Sequence, residues 1–238
     1  MKYGILFSVL SILIAFYAFV WAGWFLVLLW PAISFGAVGL AYLFWGHRVF
    51  GKRGDGTMRI GSAVLLLPYL VCVWAGWHSI RLLSRERAYD ILTDEIWIGR
   101  RLLSSELPAG TQTVVDLTSE FAEPTALRSA ANYIAAPMLD GSSLSAQSLV
   151  DIVSSISVAK TPIYLHCAQG HGRTGLVAAL LLISRGKADD VDSAIAMIKS
   201  VRPGVGLNRL QMENLRKATS IIRAATSNNH SPQPTSGR

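Results

Sequence analysis

Charge is scarce in this chain and cysteine nearly absent. Only 16% of the 238 residues are Asp, Glu, Lys or Arg, 51% are apolar, and the mean hydropathy is +0.39. Intrinsic disorder, which needs few apolar residues and many charges, is therefore excluded. The 20 glycines have no three-residue period, which excludes a collagen-like chain. The two cysteines, Cys72 and Cys167, lie in different surroundings and cannot staple a small secreted scaffold. From Tyr3 to Gly46 there is no Lys, Arg, Asp or Glu at all, which argues against one large soluble core.

What is present instead is length of apolar chain. A bilayer core ~30 Å thick takes roughly 20 apolar residues at a rise of 1.5 Å each. The first uncharged run is too long for one such helix and suits two, turning where Trp21, Gly23 and Trp24 cluster. A third run, Ile60 to Ile80, is bounded by Arg59 and Arg81. The pattern predicts about three transmembrane helices, at about 3–22, 25–46 and 60–80, within a membrane region 1–83. Six of the seven tryptophans precede residue 81, as interfacial belts would place them. Pro31 and Pro68 are expected to kink their helices. The alternatives are buried core helices or a cleaved signal peptide, but a signal peptide has an apolar stretch of only about 7 to 15 residues.

An odd number of spans places the N-terminus and the loop from His47 to Arg59 opposite the C-terminal domain. Charge then gives no orientation: Lys2, Arg48, Lys52, Arg53 and Arg59 on one side balance Arg81, Arg85, Arg87, Arg100 and Arg101 on the other. Residues 81–238 carry 17 basic and 14 acidic side chains, so the soluble part is only mildly basic, and no nucleic-acid partner is expected.

From Tyr89 the pattern changes to short apolar runs alternating with helical periods, an α/β domain over 89–225. Candidate strands are Ile96–Ile98, Thr113–Leu117, Tyr133–Ala136 and Ile163–His166. Candidate helices are Ser145–Ser157, Gly175–Ser184, Asp190–Val201 and Asn208–Ala225. The segment 226–238 is polar and Pro-containing and is expected to be a disordered tail.

The chemistry concentrates in Pro162–Gly175, PIYLHCAQGHGRTG: an apolar strand, a cysteine, a glycine-rich loop, an arginine and a helical run. Such a loop wraps backbone N–H groups around a tetrahedral oxyanion, and the following helix points its positive end at the same place. Ala168, Gln169, Gly170, His171 and Gly172 would form the cradle, and the planar fork of Arg173 would grip two phosphate oxygens. These dipoles and the guanidinium favour the thiolate of Cys167, which makes it a nucleophile. Thr174 could donate to the sulfur as it leaves, and His166 would orient the loop. A zinc site at His166, Cys167 and His171 lacks a fourth ligand at suitable spacing, so neither metal nor other cofactor is expected.

Cys167, five intervening residues, Arg173 and Thr174, preceded by His166, resemble the signature loop of the cysteine-dependent protein tyrosine and dual-specificity phosphatases. EIWIGRRL (Glu95–Leu102), VVDLTSEF (Val114–Phe121) and RPGVGLNRLQ (Arg202–Gln211) resemble further segments of the dual-specificity branch, over about residues 89–224. The resemblance implies a central sheet flanked by helices and a cysteinyl-phosphate intermediate. It implies a general acid at Asp140, 27 residues before the cysteine, rather than at Asp116, which is expected to end a strand and bond local backbone. Gly141 and its neighbouring serines would let that loop move. Gln211 is expected either to position water or to be an ordinary helix-surface glutamine.

The expected activity is a membrane-anchored phosphomonoesterase acting on protein phosphotyrosine, phosphoserine or phosphothreonine. One alternative is a lipid phosphatase of the phosphatidylglycerophosphate kind; the lysines common in phosphoinositide-directed loops are replaced here by Ala168 and His171. Another is a catalytically silent phosphate-binding anchor, against which the intact Cys167, Arg173 and Asp140 speak. Expected partners are a phosphorylated protein or phospholipid and the membrane lipid. A reducing compartment protects a reactive thiolate, so an integral multi-pass protein with a cytoplasmic catalytic domain is expected.

Overall fold

The computed structural model describes residues 2–229. Three helical stretches are long and apolar enough to cross a membrane: Lys2–Trp21, Gly23–Phe50 and Ile60–Leu83. The first is α1. The second consists of a 3₁₀ segment, α2 (Leu29–Leu40), and π and 3₁₀ turns to Phe50, and the third is α3. The turn between the first two falls at Trp21–Trp24 as expected, with Gly23 at φ +54°. Pro31 lies just past the change from 3₁₀ to α helix, and Pro68 lies inside α3. Lacking an N–H, Pro68 leaves the Val64 carbonyl without its helical donor; Trp30 Nε1 of α2 supplies one at 3.1 Å.

The placement of the 47–59 loop differs from expectation. It does not lie opposite the C-terminal domain but packs on it. Lys52 ion-pairs with the buried Asp116, and the Gly56 carbonyl accepts from the Glu123 N–H at 2.9 Å. The Asp55 carbonyl accepts from Arg128 at 3.1 Å. Tyr3, at the start of α1, packs against Gly141. At the far end of α3, Arg81 makes a bidentate pair with Glu106 at 2.7 and 2.8 Å. The loop that leads into α3 and the far end of α3 therefore meet the same domain, and the helix packs along it through Leu66 and Tyr69 against Leu139. The pattern of apolar runs could not show this, because the decisive contacts are single polar residues reaching over long sequence separations.

The domain is the expected α/β unit. Its strands are β1 (Tyr89–Ile91), β2 (Ile96–Arg100), β3 (Thr113–Thr118), β4 (Asn132–Met138) and β5 (Ile163–Cys167). They run in the order β1-β2-β5-β3-β4, with β1 antiparallel at the edge and the others parallel. Side chains alternate along the strands. Val115, Leu117 and Leu165 face the main core, while Val114 and Tyr164 face a smaller cluster that includes Leu127 of α4 (Thr125–Ala130). The main core is closed by α5 (Ala146–Ser157), α6 (Gly172–Ser184), α7 (Val191–Val201) and α8 (Arg209–Asn229). Ser145 caps α5, and Asp190 and Ser193 form a capping box on α7.

β1 and α4 were not expected, since three residues or six leave no period to read. The expected tail is also shortened: α8 runs through Asn229, so 226–229 are helical, and 230–238 lie outside the described residues.

Candidate active site

β5 is buried along its whole length and ends on Cys167, so the chain leaves the sheet centre directly into the glycine-rich loop. Gly170 has φ +78°, and a Cβ there would collide with the Gly99 backbone of β2, so only glycine fits. α6 then begins at Gly172, three residues earlier than expected, bringing its N-terminus against the loop.

The loop carbonyls are each tied outward. The Ala168 carbonyl accepts from the Trp77 indole N–H at 3.0 Å and the Arg101 N–H at 3.2 Å. The Gln169 and Gly170 carbonyls both accept from Arg202, each at 3.0 Å. Arg202 is itself buried and paired with Asp90 and Glu86. With its carbonyls turned outward, the loop turns amide hydrogens inward, the geometry of an anion nest. The Gly170 N–H donates to Cys167 Sγ at 3.3 Å. His171 stands at the N-terminal boundary of α6 with its side chain turned to Glu86, which it bonds at 2.7 Å through Nε2.

Arg173 is buried and held by Glu120 through two bonds, 2.6 and 2.9 Å, and by the Met138 carbonyl at 2.9 Å. Burial opposes both charges. Glu120 nevertheless holds the guanidinium well above its ordinary range, and Arg173 holds the Glu120 carboxyl below its own. The Nε of Arg173 is buried without a partner among the described residues, leaving an N–H for an anion. Sequence reasoning missed Glu120; a carboxylate in the short turn after the apolar strand was the signal it offered.

Asp140 stands 3.2 Å from Arg173, with its side chain 70% exposed. Its loop is fastened at several points: Tyr42 donates to the Asp140 carbonyl at 3.0 Å, Asn208 to that of Gly141 at 2.8 Å and Gln211 to that of Ser142 at 3.0 Å. Gln211 is thus buried beside Gly172, and the helix-surface reading does not hold. Thr174 makes no hydrogen bond to the sulfur; its buried hydroxyl has no partner among the described residues.

Asp116 bonds the Thr118 N–H at 2.7 Å, as expected, but it lies inside β3, which runs on to Thr118, and it also accepts from Lys52 and from Tyr133 at 2.6 Å. Burial would raise its carboxyl; the Lys52 ammonium outweighs this and holds it well below the usual range. His166 lies beneath the loop, its ring stacked on Tyr164. Asp116, Glu123 and His166 bring ligand atoms within 4.8 Å of one another, but Lys52 and Arg101 supply positive charge there.

Burial pushes the His166 imidazole down to about 4 from 6.5, although Asp116 pulls it upward and Lys52 and Arg101 push it down. The unfolded chain takes up this proton below 6.5 and the folded one only near 4, so the group costs stability as pH falls through that window. Glu123, pushed up to about 7 by burial and by Asp116, acts oppositely, costing stability as pH rises from 4.5 to 7. In detergent, His166→Asn is expected to lose less melting temperature than wild type between pH 6.5 and 4. Equal acid sensitivity would reject the buried neutral ring.

Residues 103–187 match the family described as "Tc-R-P: Polymorphic toxin system, DSP-PTPase phosphatase". No curated protein sequence matches the chain. Among solved structures, Tk-PTP in its active form superposes with a TM-score of 0.50 at 20% identity, covering 56% of this chain and 97% of that one. PTPMT1 in complex with PI(5)P gives 0.50 at 16%, covering 59% and 99%. A single-residue variant of human DUSP28 gives 0.52 at 19%, covering 59% and 99%. At these identities the likeness shows the fold.

Proposed function

We propose, from a soluble part that is a phosphatase domain of the dual-specificity and protein tyrosine phosphatase fold, that this chain is a membrane-anchored phosphomonoesterase working through a cysteinyl-phosphate. The observation that carries the reading is the outward tethering of the Ala168, Gln169 and Gly170 carbonyls around the sulfur of Cys167.

In the first step Cys167 Sγ attacks phosphorus, an S–P bond forms, the P–O bond to the alcohol breaks, and Asp140 gives its proton to the leaving oxygen. In the second, the Asp140 carboxylate accepts a proton from water as it attacks phosphorus, and the S–P bond breaks to return the thiolate and inorganic phosphate. The loop amides and Arg173 Nε hold the equatorial oxygens throughout, with Glu120 fixing the plane of the fork. The scheme uses no metal. Hydrolysis of p-nitrophenyl phosphate by the purified full chain, lost in Cys167→Ser, tests it.

The anchor follows from the contacts of α3. Because the loop that leads into it, its far end and Tyr3 all meet the domain, α1 and α2 cross as a hairpin and α3 lies in the membrane interface under the domain. α3 is apolar all round since one side meets α2 and the domain and the other meets lipid. All ten basic residues that balanced one another in the sequence then fall on one side, and the hairpin tip carries none, which supports a cytoplasmic domain. In intact cells an impermeant maleimide is expected to label Ala22→Cys but to reach Gly54→Cys only after permeabilisation. Labelling of Gly54→Cys from outside would overturn this orientation.

A further inference from the structure

α3 runs across the mouth of the site, and its Trp77 is hydrogen-bonded to the anion loop itself. Beside it opens a cavity of about 280 Å³ with two unlike ends. Its polar end is formed by Ser119, Glu120, Asp140 and Gln169 and borders the anion loop at Ala168 and Gln169, next to Cys167. The walls are aromatic and aliphatic and come from the membrane helices: Tyr3, Tyr42, Tyr69, Val73 and Trp77. On the other side of α3 a second space of about 590 Å³, walled by Leu67, Leu70 and Trp74, also borders Glu120 and Phe121. The outer faces of the same helices are bare and apolar; Ile12, Phe16, Val64 and Val71 are more than half exposed, as residues against lipid would be.

A peptide entering this collar would have to bring backbone N–H and C=O groups against aromatic walls that offer them few partners, at several kcal/mol for each group left unsatisfied. A lipid carries its one polar group at the end of apolar chains, which matches the two ends of the cavity. We propose that the substrate is a membrane lipid ending in a phosphomonoester, which reaches Cys167 from the bilayer along α3, its phosphate on the anion loop and its chains among the apolar walls. The inference rests on the phosphatase reading and narrows it: the bond broken is the lipid's terminal P–O bond, the leaving alkoxide takes the Asp140 proton, and water completes the turnover.

The test uses the full chain in mixed micelles. Dioleoyl phosphatidic acid and phosphatidylglycerophosphate are compared with glycerol 3-phosphate and a phosphotyrosine peptide, with p-nitrophenyl phosphate as a reporter of the chemistry. The faster lipid is expected to exceed both water-soluble substrates in kcat/KM by about a hundredfold or more. A smaller advantage, or preference for the peptide, overturns the lipid substrate, and if p-nitrophenyl phosphate is still turned over the phosphatase reading stands. No turnover of any substrate overturns both. Gly76 of α3 borders the cavity, and a Cβ there would meet open space, so Gly76→Phe adds a ring to the route without a clash at its root. The ratio of lipid to p-nitrophenyl phosphate kcat/KM is expected to fall by about tenfold or more in this variant, and a smaller fall rejects the route along α3.

Discussion

Replacing Cys167 by serine is expected to lower kcat/KM on p-nitrophenyl phosphate by on the order of a thousandfold or more, while phosphate or vanadate still binds. The two results separate because different atoms produce them. Attack needs an ionised sulfur, and a serine hydroxyl surrounded by the same dipoles keeps its proton at neutral pH. Binding needs the inward amides and the Arg173 fork. These are held by Trp77, Arg101, Arg202 and Glu120, none of which touches the exchanged atom. A serine variant within tenfold of wild type would reject the covalent route. Loss of vanadate binding together with turnover would show that the cysteine is needed to build the loop.

Asp140→Asn is expected to show its effect through the leaving group. An alkyl phosphate expels an alkoxide that needs a proton as the bond breaks, so its hydrolysis should fall by about 10²-fold or more. Nitrophenolate leaves readily without one, so p-nitrophenyl phosphate should lose far less. The measurement is kcat on both substrates for wild type and variant. Asp140 also lies 3.2 Å from Arg173, so a second role is open to it: steadying the guanidinium. Equal losses on both substrates would favour that role over proton donation.

The glycine-rich loop was legible because its parts are contiguous. Cys167, the glycines and Arg173 fall within one strand-loop-helix unit, and local rules decide its shape. The four longer strands appeared for a related reason: parallel strands covered on both faces are short continuous apolar runs. What supports the loop was not legible. Glu120 reaches Arg173 across 53 residues, and Arg202 reaches the Gly170 carbonyl across 32. Lys52 crosses 64 residues to Asp116, from a loop whose neighbours suggested the opposite side of a membrane. Gln211 was open to a helix-surface reading, and only its packing beside Gly172 removed that one.

By itself the sequence determined that an uncharged apolar region precedes an α/β domain and that a cysteine faces an arginine across an anion loop. Periodicity and chain stiffness act over a few residues, and both features are of that length. Only the tertiary structure decided that α3 lies along the domain and that the site borders the apolar N-terminal helices. These arrangements depend on where a few buried charges and indole or phenol hydrogens find partners, and each such partner is tens of residues away.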